Sequence, residues 1–297
     1  MKHIKLHQLV DFYMWLTPSL FEFFTLWWRT EKAKMKKTLS IVIPVYNEES
    51  RLEKAFLALS EKFPSTKLLL LEVIFVNDGS TDTTLKVLND WQKKQQGFEV
   101  KIISYRNNCG KGGAIKRGLL KATGDYALFM DVDMSTPLTE FTKFEKWIGK
   151  YEVIIGTRKN GHSTVVVPQP IHRQLLGRGF TVLTQLALNT WVTDFTCGFK
   201  LLSKSAYLPI ARLMRIDRWS YDAEMMFLAK KLGLSIKEVP VKWYNDRRTK
   251  VSLVKDIAQS FVDLVKIRQL DINGGYENTS RYCNLIERAF SWIKIDW

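Results

Sequence analysis

A chain of 297 residues that is 46% hydrophobic and 12% aromatic can bury one large core, which excludes intrinsic disorder as the default state. Its 45 Lys and Arg against 30 Asp and Glu leave a net charge of +15, which calls for an anionic partner: nucleic acid, an acidic membrane face or a phosphorylated substrate. The three cysteines, Cys109, Cys197 and Cys283, lie more than eighty positions apart, which excludes a close metal-binding pair and suits reduced thiols in a cytosolic setting.

The N-terminus has no short apolar stretch ending in a small-residue cleavage site, so a secretory signal is not expected. Leu9 to Trp28 is rich in Phe, Trp and Leu, but Asp11, Pro18 and Glu22 interrupt it. No run of about 18 apolar residues survives for a spanning helix. The segment reads as two interfacial helices broken at Pro18. Trp27 and Trp28, followed by Arg29, Lys32, Lys34, Lys36 and Lys37, form an aromatic anchor beside a polybasic strip. An apolar arm packed on its own domain or on a second subunit is the competing reading.

From residue 39 short β-branched runs alternate with longer amphipathic ones. Leu39 to Val45, Leu70 to Val76, Val100 to Ser104 and Tyr126 to Met130 are apolar nearly throughout and predict strands buried on both faces. Glu49 to Lys62, Asp82 to Gln95 and Gly112 to Ala122 predict the helices between them. This repetition predicts an α/β fold, with a mostly parallel sheet, helices on both faces and a ligand site beyond the carboxyl ends of the strands. After residue 150 the alternation loosens. Glu152 to Gly156, Phe199 to Leu202 and Ile236 to Trp243 read as strands, Arg173 to Asn189 and Tyr221 to Lys231 as helices. Val251, Val254, Ile257, Ala258, Phe261, Val262, Leu264 and Val265 recur at helical spacing opposite Lys255, Asp256, Gln259 and Asp263, an amphipathic helix. Another near Leu285 to Trp292 carries Arg288 and Lys294 beside Phe290 and Trp292, and suits a membrane surface or the core equally. Three segments are expected: an aromatic and basic membrane-contact segment over 1–37, the α/β domain over 38–245, and amphipathic helices over 246–297.

The residues that carry chemistry follow the strands. Pro44-Val45-Tyr46-Asn47-Glu48-Glu49 closes the first one, and such a loop sets an Asn amide and a carboxylate against a base or ribose; helix capping by Asn47, with Glu49 in the first turn, explains it as well. The second strand runs into Asn77-Asp78-Gly79-Ser80-Thr81-Asp82. The helical pattern that follows makes this a strand-to-helix loop rather than a hairpin, with Asp78 at the sheet edge to accept hydrogen bonds and Ser80 or Asp82 as the cap. Gly110-Lys111-Gly112-Gly113 opens the next helix, where small residues let backbone amides approach an anion. It is not a P-loop, because Tyr105 stands where a Gly is required and Gly112 where a Ser or Thr is. The strongest local signal is Tyr126 to Asp133. A buried strand ends in Asp131 and Asp133, which period-two geometry aims to one side while Val132 turns inward. Two like charges so placed require a cation between them, and Mg²⁺ or Mn²⁺ suits hard oxygen ligands completed by a diphosphate.

With these residues in order, the sequence resembles the family-2 glycosyltransferases of the GT-A fold, and among them the dolichyl-phosphate or polyprenyl-phosphate sugar transferases. The resemblance covers about residues 38 to 268. It rests on Ile41 to Glu48, Val76 to Asp82, Gly110-Lys111-Gly112, Asp131-Val132-Asp133 and Asp194-Phe195-Thr196-Cys197-Gly198-Phe199-Lys200. It implies that Pro44, Tyr46, Asn47, Glu48, Asp78, Lys111, Gly112 and Asp131 hold the nucleotide, and that Asp131 and Asp133 hold the metal. Gly156-Thr157-Arg158, Gln169 to Arg173 and Gly177-Arg178 look like the segment that brings Arg158, Arg173 and Arg178 to a lipid phosphate, and arginine forks suit that ligand. Trp219 to Glu224 resembles the element near the donor sugar, with Asp222 and Glu224, together with Asp194, as candidates for holding hydroxyls. Arg248-Thr249-Lys250 stands where the family commonly has Gly-Ser-Lys, so acceptor contacts by Arg247, Lys250 or Ser252 rest on a weaker match.

The resemblance implies an inverting transfer of one sugar from a UDP- or GDP-linked donor to a polyprenyl phosphate, with Asp131, Asp133, Arg158 and Arg173 as the catalytic set. A dianionic phosphate needs no strong base, whereas a hydroxyl acceptor would, with Asp194 or Asp222 as first candidates. The expected location is the cytoplasmic face of a membrane, peripheral or monotopic, with no nucleic-acid partner. The rivals are a family-2 enzyme acting on a hydroxyl of a glycan, protein or lipid, and a non-catalytic basic membrane- or nucleic-acid-binding protein. The sugar, the base, the lipid chain and the oligomeric state stay open.

Overall fold

A computed structural model describes residues 36–61, 63–159, 163–167, 171–245 and 253–277, and the side chains of all of these except 167, 171–173 and 253–258. The aromatic segment expected over Leu9 to Trp28 and the helix expected near Leu285 to Trp292 lie outside the described residues.

The first half alternates strand and helix as the periodicity predicts: β1 (Lys37–Val45), α1 (Leu52–Ser60), β2 (Leu68–Asp78), α2 (Thr84–Lys94), β3 (Glu99–Tyr105), α3 (Lys111–Lys121) and β4 (Tyr126–Met130). The second half runs β5 (Val153–Thr157), β6 (Thr164–Val167), α4 (Ile171–Leu188), β7 (Phe199–Ser203), α5 (Lys204–Leu213), α6 (Tyr221–Lys231), β8 (Ile236–Pro240), β9 (Lys242–Tyr244) and α7 (Leu253–Ile272). β6, α5 and the two 3₁₀ turns at Leu138–Lys143 and Glu145–Trp147 go beyond the sequence-based expectation, and the single strand expected over Ile236 to Trp243 is two, interrupted at Val241.

Seven strands form one sheet in the order β3-β2-β1-β4-β7-β5-β8, and β6 pairs β9 in a small second sheet. β1 with β4, β2 with β3, and β5 with β8 are parallel, whereas β7 runs antiparallel to both β4 and β5. Period-two geometry divides each central strand between two cores. Val42, Val76 and Phe129 face α3 to α7, while Ile41, Ile43 and Phe75 face α1, α2 and the 3₁₀ turns. Strands packed on both faces explain their near-continuous apolar runs.

The apolar residues of α7 divide between core and surface. Leu264 and Ile267 are buried together with Ser260 and Asp263, whereas Phe261, Val262 and Val265 are exposed. Gln259 donates to Asp263 at 2.9 Å, which satisfies part of that buried carboxylate. The apolar residues cover more than half the helix circumference, so periodicity alone did not fix which part of them turns inward.

α3 lies close on the sheet because Gly118 has no side chain: a Cβ there would sit 2.3 Å from Cγ1 of Val42 and 3.0 Å from Cγ2 of Val76. Gly118→Ala is expected to cost about 1–3 kcal/mol by overpacking. Gly179→Ala, on α4 where nothing lies within 4 Å, is expected to stabilise by about 0.5–1 kcal/mol through helix propensity. Urea unfolding of the two variants checks the opposite signs.

Candidate active site

The site is built at the carboxyl edge of the sheet, where β4 ends at Met130 and Asp131 follows. Antiparallel pairing sets Met130 opposite Phe199 and Phe129 opposite Lys200, and the next rung brings Asp131 to Gly198, whose carbonyl accepts the Asp131 amide at 3.2 Å. The Asp131 carboxylate lies flat on Gly198: a Cβ there would be 2.1 Å from Oδ2. Only glycine admits it. Asp133 accepts the Ser135 amide at 2.8 Å through Oδ1, and its carbonyl accepts Lys54 Nζ at 2.8 Å. Burial, and after it the like charge of Asp131, raise the Asp133 pKa. The two carboxylates therefore share one field, as their spacing predicts.

A line of alternating charge stabilises them. Lys111, first residue of α3, places Nζ 2.6 Å from Asp131 Oδ1. Apart from this ion pair, that buried oxygen has no hydrogen-bond donor among the described residues. Burial works against the Lys111 charge, but Asp131, Asp222 and Asp133 together overcome it and raise its pKa. Asp222, in the first turn of α6, is in turn ion-paired with the fully buried Lys200, whose Nζ also donates to the Cys197 carbonyl at 2.7 Å. A buried oxygen met by a single ammonium, a second carboxylate with a raised pKa and an all-oxygen set fit a hard divalent ion. Among the described residues no group of three or more His, Cys, Asp and Glu gathers for a metal, so Asp131 and Asp133 would need substrate oxygens to complete a shell.

The nucleotide-side loops are tied to one another. Asn47, at φ 52°, donates its amide to Ser80 Oγ at 2.9 Å and accepts the Thr81 amide through Oδ1 at 2.8 Å. It does not cap α1, whose start at Arg51 has no side-chain cap. Glu49 Oε2 accepts the Thr83 amide at 2.9 Å, Asp82 Oδ1 accepts the Thr84 amide at 3.0 Å, and the Glu48 amide donates to Thr84 Oγ1 at 2.8 Å. Glu48 also pairs with Arg51 at 3.0 Å, and Tyr46 beside it is exposed. Asp78 is buried. Its carboxylate accepts the amides of Cys109 and Gly110 at 2.8 Å each and Asn108 Nδ2 at 2.9 Å, so it braces the loop that opens α3. The Gly113 amide donates to the Asp217 carbonyl at 2.9 Å, and a Cβ on Gly112 would sit 2.5 Å from Cβ of Tyr221. The small residues at this helix start thus serve close packing on the 216–221 loop, and the Cys109, Gly110 and Gly113 amides are engaged within the chain rather than free for an anion.

On the other side, β5 ends at Thr157 and presents Arg158. Its Nε and Nη2 donate to the two oxygens of Asp194 at 2.8 Å each, its amide donates to Asp194 Oδ2 at 2.9 Å, and Nη2 reaches Thr196 Oγ1 at 2.8 Å. The guanidinium stands 5.1 Å from the Trp243 ring centroid. Burial pushes Asp194 up, but the Arg158 fork holds its pKa down to about 2. Lys159 follows, donating to Thr181 Oγ1 at 2.5 Å and the Gly177 carbonyl at 3.2 Å on α4. Burial lowers its pKa; Asp194 opposes the shift, and the neighbouring charges of Arg158 and Arg178 reinforce it. Asp131 in turn acts on Arg158, so the acidic pair and the basic cluster lie within electrostatic reach of each other.

The glycosyl transferase family 2 model matches residues 40–208, more than half of the chain. The chain belongs to glycosyl transferase family 2. This transferase is 32% identical over 240 residues to a dolichyl-phosphate β-glucosyltransferase of Dictyostelium discoideum, covering 77% of this chain and 73% of that one. The proteins of that name from Saccharomyces cerevisiae and Homo sapiens are 33% and 30% identical, covering 82% and 81% of this chain and 78% of each relative. Among solved structures, glucosyl-3-phosphoglycerate synthase of Mycobacterium tuberculosis in complex with uridine diphosphate superposes with TM-score 0.56 at 20% identity, over 80% of this chain and 82% of that one. A further structure of that synthase, with Mn²⁺, UDP-glucose and glycerol 3-phosphate, has the same TM-score and identity over 79% and 81%. These likenesses establish the GT-A fold.

The transferase brings Asp131, Asp133, Lys111, Asp222 and Arg158 to one edge of the sheet. It departs at three acids proposed to hold sugar hydroxyls. Glu224 is fully buried and its oxygens accept the amides of Arg215 and Ile216 at 2.7 and 2.9 Å and the Tyr276 hydroxyl at 2.7 Å, so it holds the loop before α6. Asp194 is fully buried on Arg158 and Asp222 is committed to Lys200. Arg178 is exposed on α4; the Arg173 side chain, Arg247, Lys250 and Ser252 lie outside the described residues. Lys159 and Lys200 are the residues that motif reading missed. The available signals were a second cation directly after Arg158 and a lysine inside an apolar strand, which must find a counter-charge when buried. A cavity of about 600 Å³ lined by Tyr151, Trp191, Lys237 and Glu238 contains none of the motif residues.

Gly198→Ala is expected to displace Asp131 and lower kcat/KM by about 10²-fold or more, with Mn²⁺ binding lost in parallel and the far-UV circular dichroism unchanged. Asp194, with a folded-state pKa of about 2 against an ordinary value of about 3.9, contributes ion-pair stability that is complete above about pH 4 and lost as pH falls toward 2. Asp194→Asn is expected to flatten that acid limb and to cost about 3–5 kcal/mol at neutral pH, because Arg158 is left buried without its counter-charge. Urea unfolding followed across the acid range checks both.

Proposed function

We propose that this transferase moves one glucose from UDP-glucose to a polyprenyl phosphate at a membrane surface, inverting the anomeric centre to give a β-linked product. The observation that carries this reading is the cationic cluster of Arg158, Lys159 and Arg178 beside the Asp131 and Asp133 pair. Asp194 satisfies one face of Arg158. Among the described residues Lys159 and Arg178 have no comparable carboxylate fork; burial lowers the Lys159 pKa, and the positive charges of Arg158 and Arg178 add to that shift. A phosphate dianion supplies what that cluster lacks. The names of the relatives point to dolichyl phosphate as acceptor and glucose as sugar, and the complexes of the structural neighbours point to UDP.

In this mechanism the acceptor phosphate, with a second pKa near ~6, arrives charged and needs no general base. Lys159 and Arg178 hold it, and Arg158, fixed by Asp194 and Trp243, orients one oxygen toward the anomeric carbon. The C1–O bond to the nucleotide diphosphate breaks as the new C1–O bond forms on the opposite face. Lys111, between Asp131 and Asp222, stands ready to follow negative charge onto the leaving diphosphate. A Mg²⁺ or Mn²⁺ ion held by Asp131 and Asp133 would supply the remaining neutralisation of that leaving group. Transfer to a hydroxyl would need a base, and the geometry disfavours it: the pKa of Asp194 is held at about 2 by Arg158, and Asp222 is paired with Lys200.

Purified protein with UDP-glucose and a short polyprenyl phosphate is expected to release UDP and form glucosyl phospholipid, to stop on chelation and to recover with Mn²⁺. Asp131→Asn is expected to lower kcat/KM by about 10³-fold or more, whereas Lys159→Ala should chiefly raise the acceptor KM, by about 10- to 100-fold, the loss of one charge-assisted contact. Transfer to a simple sugar hydroxyl in preference to the phosphate would overturn the assignment.

A further inference from the structure

Two cations leave the end of β5, and the residues that hold them are themselves held by one carboxylate on β8. Arg158 closes on Asp194 through its amide and its fork, while the Lys159 amide donates to Thr157 Oγ1 at 3.2 Å. Thr157 Oγ1 lies 3.2 Å from Thr193 Oγ1. Oε1 of Glu238 then accepts the Thr193 amide at 2.9 Å, the Thr193 hydroxyl at 2.7 Å and the Asp194 amide at 3.2 Å. The parallel register sets Glu238 beside Ile155 and Pro240 beside Thr157, so the Glu238 and Thr157 side chains leave the sheet on the same face.

Hydrogen-bond direction runs one way along this chain of contacts. A carboxylate only accepts, so the Thr193 hydroxyl gives its proton to Glu238, and the Thr157 hydroxyl must donate to Thr193. Thr157 then has its lone pairs left for the Lys159 amide. One oxygen of Glu238 thus governs two routes, through Asp194 to the Arg158 guanidinium and through two hydroxyls to the Lys159 backbone. Among the described residues no backbone–backbone hydrogen bond ties Thr193 or Asp194 to β5 or β8, so Glu238 supplies the attachment that a strand ladder would otherwise give.

We propose that Glu238 is a positioning residue for the transfer, one that sets Arg158 and Lys159 toward the acceptor phosphate by acting through Asp194 and Thr193. The inference rests on the phosphate-acceptor reading for the use made of those cations, and its test reads the placing of Arg158 separately from turnover. Glu238 is half-buried and lines the cavity of about 600 Å³, so removing its side chain enlarges a space already present rather than leaving a closed void, and the fold is expected to survive.

The full-length wild type is compared with Glu238→Ala, Glu238→Gln and Thr193→Val. Kinetics use UDP-glucose and a short polyprenyl phosphate in detergent, melting midpoints are recorded, and the Arg158 Nε–H signal is followed by ¹⁵N NMR, identified by its loss in Arg158→Lys. Glu238→Ala is expected to lower kcat/KM for the acceptor by about 10- to 100-fold while the UDP-glucose KM stays within about twofold, and to move the Arg158 signal toward that of solvent-exposed arginines. Glu238→Gln keeps a carbonyl that accepts both amides, so it should stay within about threefold of wild type and keep the Arg158 signal in place. Thr193→Val cuts only the hydroxyl route and should raise the acceptor KM by a smaller factor than Glu238→Ala, with the Arg158 signal again in place. An unmoved Arg158 signal in Glu238→Ala, or a moved one with unchanged acceptor kinetics, would sink the proposal. So would equal losses for donor and acceptor together with a lowered melting midpoint in both the Ala and the Gln variant, which marks Glu238 as a brace for the fold alone. A moved signal in a protein whose wild type transfers to no polyprenyl phosphate keeps Glu238 as the residue that sets Arg158 and removes only the acceptor assignment.

Discussion

The antiparallel register of β7 against β4 is the constraint on which the site depends. Pairing Met130 with Phe199 brings Gly198 against the Asp131 carboxylate and Lys200 beneath Asp222, and it leaves the segment immediately before β7 to cross toward β5. At the far end of that segment Asp194 receives the Arg158 fork. A few residues thus fix both Asp131 and Arg158. A slip of one rung would put a Cβ into the Asp131 carboxylate and turn Lys200 to the opposite face of the sheet. An all-parallel sheet offers no such link, since its strands enter the edge from one direction only.

Around this frame, charge is ordered rather than merely abundant. From Asp131 through Lys111 and Asp222 to Lys200 the signs alternate into the interior, and each group is stabilised by the next. Burial of any one alone would cost several kcal/mol, so the line persists only as a set. The arrangement leaves the Asp131 carboxylate answered by the Lys111 ammonium. Around Arg158 the balance is less complete: Arg158 is matched by Asp194, while Lys159, beside Arg158 and Arg178, is hydrogen-bonded to Thr181 and the Gly177 carbonyl.

The tertiary structure also gives bracing contacts to several acids that motif reading places at the nucleotide or the sugar. Glu224, Asp194 and Asp78 all sit at the right edge of the sheet, yet each has its oxygens occupied by backbone amides or an arginine. Such acids are what hold the loops of the site in place, since a loop cannot satisfy its own amides as a helix or strand does. Sequence spacing does not distinguish a carboxylate that binds a ligand from one that braces the loop beneath it.

The amino-acid sequence by itself determined the α/β alternation, the strands from β1 to β4 nearly to the residue, and the placing of Asp131 and Asp133 together, because these follow from local periodicity: period two for a strand buried on both faces, and two same-side carboxylates where it ends. It also marked the cationic surplus that points to an anionic partner. Only the tertiary structure decided that Gly198 must be glycine, that Asp194 belongs to Arg158, that Lys159 joins the basic cluster and that α7 turns Phe261 and Val265 outward. Each of these depends on residues tens of positions apart meeting across a strand pair or between helices. The energy of such a contact lies in the approach of the two groups, which no window of neighbouring residues contains.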